Sequence, residues 1–355
     1  MFQNFYKGKK VLITGDTGFK GSWLAIWLVN MGAEVYGYAL SPDTEAGNYT
    51  SCKVNTLIQH LDGDIRDGEK LKKYFKQINP DIAFHLAAQP LVIDSYNNPV
   101  YNFDVNVMGT VHFLEALRSS ENTKSAVVIT TDKCYKNNEW MWGYKETDHL
   151  GGKDPYSASK ACTELVTESY IHSFFKNSSC SIATVRAGNV IGGGDWAANR
   201  IIPDYFRAYQ NTTKLELRNP NSVRPWQHVL EPLFGYLKLG KLLYSDPSLS
   251  GAWNFGPMDL NHVPVETLIK TLSEITGKVN YSFAEQKDKL HEATLLKLDI
   301  SKAQHLLKWY PKLNLKEMLV YTSNGYLAQI EGQNILDNRI KQITDYSQLQ
   351  NLTEA

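Results

Sequence analysis

The chain has 355 residues, 43% of them hydrophobic, which is enough to bury a core in about two domains. Its 37 Lys and Arg balance its 37 Asp and Glu, so the basic footprint of a nucleic-acid binder is missing. Four widely spaced cysteines with no CxxC pair argue against a zinc cluster or a disulfide framework.

The opening residues, MFQNFYKGKKVLITG, pass directly into a strand-like run with no secretory apolar region, and no segment is apolar for long enough to span a bilayer. The expectation is a cytoplasmic, reduced protein without membrane, nucleic-acid or metal partners. Lys10–Thr14 (KVLIT) is a short apolar run of the kind buried on both faces of a parallel sheet. Leu24, Trp27, Leu28 and Met31 then recur at helical spacing, and Gly32 closes the helix. Strands are expected at 34–40, 57–61, 82–87, 126–130 and 182–186, separated by helices at 67–78, 99–118 and 155–175. Asn98-Pro99 and Asp154-Pro155 each place a capping residue before a proline suited to the first helical turn. This alternation predicts an α/β fold, a Rossmann-type doubly wound parallel sheet with right-handed crossovers.

Beyond residue 186 the pattern breaks into Gly-rich, Pro-punctuated sequence, with helices returning at 232–243 and near Val265–Thr276. Residues 1–186 are therefore read as a dinucleotide-binding domain, to which a segment near 230–256 returns, 251–256 (GAWNFG) as a strand. Residues 187–229 and 257–340 form a smaller C-terminal substrate-binding region, and 341–355 reads as a polar tail.

Gly15-Asp16-Thr17-Gly18-Phe19-Lys20-Gly21 lies between the first strand and the first helix. Glycines there let the backbone approach a diphosphate, which faces the positive end of the helix. A plain glycine turn is the alternative, and placement after the first strand favours a dinucleotide. The second strand ends in Ala39-Leu40-Ser41-Pro42-Asp43, without a base for a 2′-phosphate, which favours NAD. Tyr156 and Lys160 stand one helical turn apart on one face. The ammonium favours the ionised phenol, which can take the proton of a substrate hydroxyl while its carbon gives up a hydride. Thr131-Asp132-Lys133 follows a strand at the end where such sheets hold ligands. It reads either as a polar turn or as extra acid–base machinery beside that pair.

These residues, with Asp64-Ile65, His85-Leu86-Ala87-Ala88 and Asn254-Phe255-Gly256, resemble the extended short-chain dehydrogenase/reductases acting on nucleotide sugars. The segments GDTGFKGSWLAIWL, TTDKCYKNNEWMWGYKE, GGKDPYSASKACTEL, RAGNVIGGGDWAANRIIPD and SVRPWQHVLEPLFGYL are most similar to its CDP-glucose 4,6-dehydratase branch. The resemblance implies a homodimer, a retained NAD and a nucleotide-sugar substrate, CDP-glucose. It gives Gly15, Thr17, Gly18, Phe19, Gly21, Asp64, Ile65, Leu86, Ala87 and Ala88 to the cofactor, together with Tyr156 and Lys160. Thr131, Asp132, Lys133, Tyr156 and Lys160 would be catalytic, with Asp132 protonating the departing C6 hydroxyl. Related dTDP-glucose enzymes carry Glu where this chain has Lys133, so that lysine is either the C5 base or a cation beside the enolate. Asn189 and Arg200 would reach the nucleotide sugar and Arg224 a phosphate, a surface ion pair being the rival reading for Arg200. A 4-epimerase, a dehydratase of another nucleotide sugar (GDP-, UDP- or dTDP-linked) and a catalytically silent cofactor sensor remain competing readings.

Overall fold

The computed structural model describes residues 2, 4–42, 44–257, 262–277, 279–283 and 295–351. Seven strands form one parallel sheet: β1 (Lys10–Thr14), β2 (Glu34–Ala39), β3 (Gln59–Asp62), β4 (Ile82–His85), β5 (Ser125–Ile129), β6 (Ser181–Ala187) and β7 (Gly251–Phe255). Their order is β7-β6-β5-β4-β1-β2-β3. Strand order reverses between β1 and β4, which are neighbours pairing Val11 with Ile82 and Thr14 with His85. A crevice opens beyond the carboxyl ends at such a reversal. The strand expected at 57–61 begins later, because Val54–Thr56 winds into a 3-10 turn first.

Alternate residues of the five inner strands feed two cores on opposite faces, as a period of two requires. Val11, Ile13, Val127 and Ile129 pack with α1 (Phe19–Asn30) and the helix Leu230–Leu243. Leu12, Ala126 and Val128 pack with α2 (Gly68–Ile78) and α3 (Gly109–Arg118). The capping residues read from sequence do cap: Asn98 Oδ1 accepts from the Tyr101 amide, and Asp154 Oδ1 from the Ser157 amide, which starts α4 (Pro155–Tyr170). The helical stretches 99–118 and 155–175 each carry a π-turn, Asp104–Met108 before α3 and Ile171–Phe175 after α4.

Past β6 come three short strand pairs, the first within the segment before β7 and the other two joining the segments that flank β7. Val190–Ile191 pairs with Gln227–His228, Val223–Pro225 with His262–Pro264, and Leu215–Leu217 with Tyr281–Phe283. The stretch 341–355 is no polar tail as far as Asn351. It continues the helix Ile335–Asn351, whose Ile343 and Tyr346 are buried and whose Tyr346 ring meets Trp27 of α1 edge-on at 6.1 Å. Residues 352–355, like Asp43, lie outside the described residues.

Candidate active site

The glycine loop and the β4 end touch backbone to backbone. Gly15 has φ +78°, and a side-chain carbon there would stand 2.6 Å from the Ala87 amide nitrogen. At Gly21 such a carbon would meet the Gly15 carbonyl oxygen at 2.0 Å. Neither position admits another residue without displacing the loop. Gly18 begins α1 without a side-chain cap, so the first amides of a twelve-residue helix face the crevice. Thr14 carries the β4 turn: its carbonyl accepts from the Leu86 amide at 2.9 Å, and its hydroxyl from Ala87 at 3.4 Å. Ala88 follows directly. Thr17 donates to the Leu40 carbonyl at 2.9 Å, closing the loop over the β2 end. The acid that β2 lacks in sequence arrives in space, where Asp62 at the end of β3 accepts from Ser41 at 3.2 Å. Asp64 is held instead by the Arg66 guanidinium, 2.6 Å away, while Ile65 is buried against Gly109.

Across the crevice, α4 places Tyr156 and Lys160 on one buried face. Lys160 Nζ donates to the Ile129 carbonyl at the end of β5, 3.3 Å away. Burial pulls this ammonium down to about 7, helped by the charge of Lys20 and opposed by Glu164. Burial pushes the Tyr156 phenol up to about 12, while a hydrogen bond with Thr131 pulls it back. Thr131 donates its one hydroxyl proton to Asp132 Oδ1 at 3.0 Å and accepts from the Lys133 amide, starting the turn Asp132–Cys134. Asp132 is 1% exposed, and its Oδ2 has no partner. Burial raises its pKa, with Lys133 and Arg224 as opposing charges. Thr131, Asp132 and Tyr156 thus converge, with Lys160 held at the end of the same strand, and Lys133 and Arg224 bring positive charge toward Asp132.

Arg200 reaches the same cluster, since its charge acts on Tyr156 and on Lys20. It also pairs with Asp195 at 2.9 Å, so the ion pair and the site position coexist. Asn189 turns the chain after β6 with φ +36°, its carbonyl accepting from Gln227. His85 and His228 are buried and pulled down to about 3 by desolvation, which suits packing rather than proton transfer. Among the described residues no group of acids, cysteines and histidines is arranged to hold a metal ion, and no helix is long and apolar enough to cross a membrane.

A family model described as GDP-mannose 4,6 dehydratase matches residues 12–322. The chain belongs to the GDP-mannose 4,6-dehydratase family. It is 46% identical to the CDP-glucose 4,6-dehydratase of Salmonella typhimurium, over 97% of this chain and 98% of that relative. An epimerase structure from Methanothermobacter thermautotrophicus aligns with a TM-score of 0.78 at 25% identity, covering 93% of this chain and 96% of that one. The dTDP-glucose 4,6-dehydratase of Bacillus anthracis, solved with NAD, shares the fold with a TM-score of 0.75 at 20% identity over 93% and 100%.

In this member of the GDP-mannose 4,6-dehydratase family two site residues escape a reading of motifs. Lys20, the second residue of α1, is pulled down to about 8 by desolvation and the charge of Arg200, and its Nζ lies 5.9 Å from the Tyr236 ring centre. A lysine inside the apolar run Phe19–Asn30 is the signal that could have flagged it. Glu164, one turn beyond Lys160, accepts from Thr130, from Thr184 at 2.7 Å and from Arg186 at 2.8 Å. An acid four residues past a buried lysine was its signal.

Proposed function

We propose that the protein is a CDP-D-glucose 4,6-dehydratase, forming CDP-4-dehydro-6-deoxy-D-glucose and water with a recycled NAD. The observation that carries this reading is Asp132, a buried carboxyl with one unpartnered oxygen beside the Tyr–Lys pair. Plain oxidation or epimerisation at C4 has no use for that acid; loss of water does. Near full-length likeness to a CDP-glucose enzyme supports the choice of base and sugar.

The bare backbone at Gly15 and Gly21 and the uncapped start of α1 fit a diphosphate, and Asp62 beside Ser41 favours a free ribose hydroxyl over a 2′-phosphate. Bound there, NAD would supply the acceptor for the C4 hydride and its later donor to C6. Tyr156 removes the C4 hydroxyl proton, with Thr131 hydrogen-bonded to the phenol and Lys160 favouring its ionised form. The 4-ketone so formed acidifies C5–H. Asp132 gives its proton to the departing C6 hydroxyl, a task that a carboxyl raised by burial suits. Lys133 serves the C5 step. Arg224 and Arg200 hold the nucleotide diphosphate through planar, two-pronged donation, and Asn189 orients the sugar. We assign 187–229 and 257–340 to this substrate side, of which 258–261, 278 and 284–294 lie outside the described residues. We further infer a cytoplasmic homodimer that serves deoxysugar synthesis for a polysaccharide.

Incubation of the purified protein with CDP-glucose in deuterated water tests the assignment. The product should lack one water and carry one solvent deuterium at C5. Dehydration of a different nucleotide sugar alone would overturn the base or sugar, and no water loss from any would remove the role given to Asp132.

A further inference from the structure

Arg339, in the helix Ile335–Asn351, is fully buried, and no carboxylate pairs with it among the described residues. Its Nε donates to Asn48 Oδ1 at 2.8 Å and its NH1 to the Gly325 carbonyl at 3.1 Å and to Asn338 Oδ1 at 2.7 Å, while NH2 has no partner. The guanidinium carbon lies 5.1 Å from the centre of the Trp23 ring. A buried cation without a counter-ion is costly, and an apolar side chain of similar size would fill the same space without that cost. Stability alone does not account for an arginine here.

What surrounds the guanidinium does. Gly193 crosses Gly325 so closely that a side-chain carbon on Gly193 would meet Gly325 Cα at 2.7 Å and Arg339 NH2 at 2.8 Å. Trp23, on the cofactor-side helix α1, donates Nε1–H to the Gly193 carbonyl at 3.0 Å. Asn48, which Arg339 grips by its side chain, donates its amide to the Gly194 carbonyl at 3.3 Å. The turn thus held runs straight into Asp195, whose carboxylate pairs with Arg200 at 2.9 Å and whose carbonyl accepts from Tyr326. Arg200 is the site arginine whose charge acts on Tyr156.

We propose that Arg339 is a positioning residue: from the C-terminal helix it braces the Gly192–Asp195 turn and so holds Arg200 in place for the nucleotide sugar. The inference rests on the dehydratase reading only for the identity of that ligand. Arg339→Met removes the donors to Asn48 and Gly325, which flank the turn, while keeping much of the volume, Arg339→Lys keeps the charge, and Trp23→Phe removes the side-chain donor that reaches the turn itself. Amide hydrogen exchange of residues 192–200 and steady-state kinetics with CDP-glucose are measured on each. Arg339→Met should speed exchange across 192–200, leave β1 and β4–β6 unchanged, and raise KM about tenfold with kcat changed less than about threefold. Arg339→Lys should recover part of the KM, and Trp23→Phe should move both readouts the same way by less.

Unchanged exchange at 192–200, or an unchanged KM, overturns the proposal. Parallel losses in kcat, KM and melting temperature would reduce Arg339 to a structural residue and overturn it equally. Should the wild type leave CDP-glucose untouched, the dehydratase reading fails, and faster exchange confined to 192–200 would still uphold the brace.

Discussion

At Gly188 the backbone passes so near Asp132 that a side-chain carbon would stand 1.8 Å from Oδ2. Gln227 fixes that approach, donating from Nε2 to the carbonyls of Gly188 and Phe255 at 3.0 Å each. Gly188→Ala should therefore push the carboxyl out of line while leaving Tyr156 and Lys160 in place. Water loss should slow by roughly 10²-fold, the scale of general-acid catalysis, while reduction of the cofactor by the sugar continues. Rapid-scan absorbance would show NADH building up during turnover; none building up, with dehydration at the wild-type rate, would refute the placement of Asp132. The two buried lysines make a second prediction at this scale. Lys160 is pulled down to about 7 and Lys20 to about 8 by burial. An anionic diphosphate favours their charged forms, so binding raises both pKa values and takes up protons. Affinity is then greatest below the free-protein values and declines as pH climbs past them. NADH, whose ring is neutral, should bind about tenfold more weakly at pH 9 than at pH 7, and a flat fluorescence titration across that range would count against it.

The elements that carry the chemistry are tied by one buried ion pair. Glu164 on α4 and Arg186 on β6 are each 3% exposed, and Glu164 also accepts from Thr130, the residue before Thr131. Arg186 extends the tie by donating to the Tyr135 hydroxyl at 2.8 Å, which donates to Asn254 of β7 at 2.8 Å. Glu164→Leu leaves a buried guanidinium unpaired and should cost about 3–5 kcal/mol in urea denaturation. Adding Arg186→Met should recover most of that loss. Equal losses in the single and double variants would show that the pair is not what ties these elements. Little of this network is visible in sequence, because its members are 34, 51 and 119 residues apart. What was legible is local: the apolar runs of the sheet, the glycine loop, the Asp154-Pro155 cap and the Tyr156–Lys160 turn each lie within a few residues. The strand pairs past β6 are two or three residues long, too short for a period to show. From 341 onward the helix Ile335–Asn351 reads as a polar tail because its buried face sets Arg339, Gln342 and Gln350 beside Ile343 and Tyr346. A face that buries polar groups leaves no apolar stripe.

Among the described residues, one face of the sheet's helical layer exposes a group of apolar side chains. Val100, Phe103 and Met108, from the turns that lead into α3, are exposed, and so are Leu165 of α4 and Phe174 just beyond it. α3 and α4 pack side by side through the hydrogen bond from the Tyr170 hydroxyl to Glu115, 2.9 Å, and through the Arg118 guanidinium over the Phe174 ring at 4.7 Å. Exposed apolar residues gathered on two adjacent helices mark an interaction surface, and a two-fold axis lets that surface cover itself with its own copy. Two helices from each chain would then close into a four-helix bundle, burying all five side chains. Light scattering should give twice the mass of one chain. Leu165→Glu, which places a carboxylate at the centre of that bundle, should give one chain's mass at the same concentration while the isolated fold keeps its melting transition. A monomeric wild type would sink the homodimer. A Leu165→Glu protein that stays dimeric would move the interface off these helices.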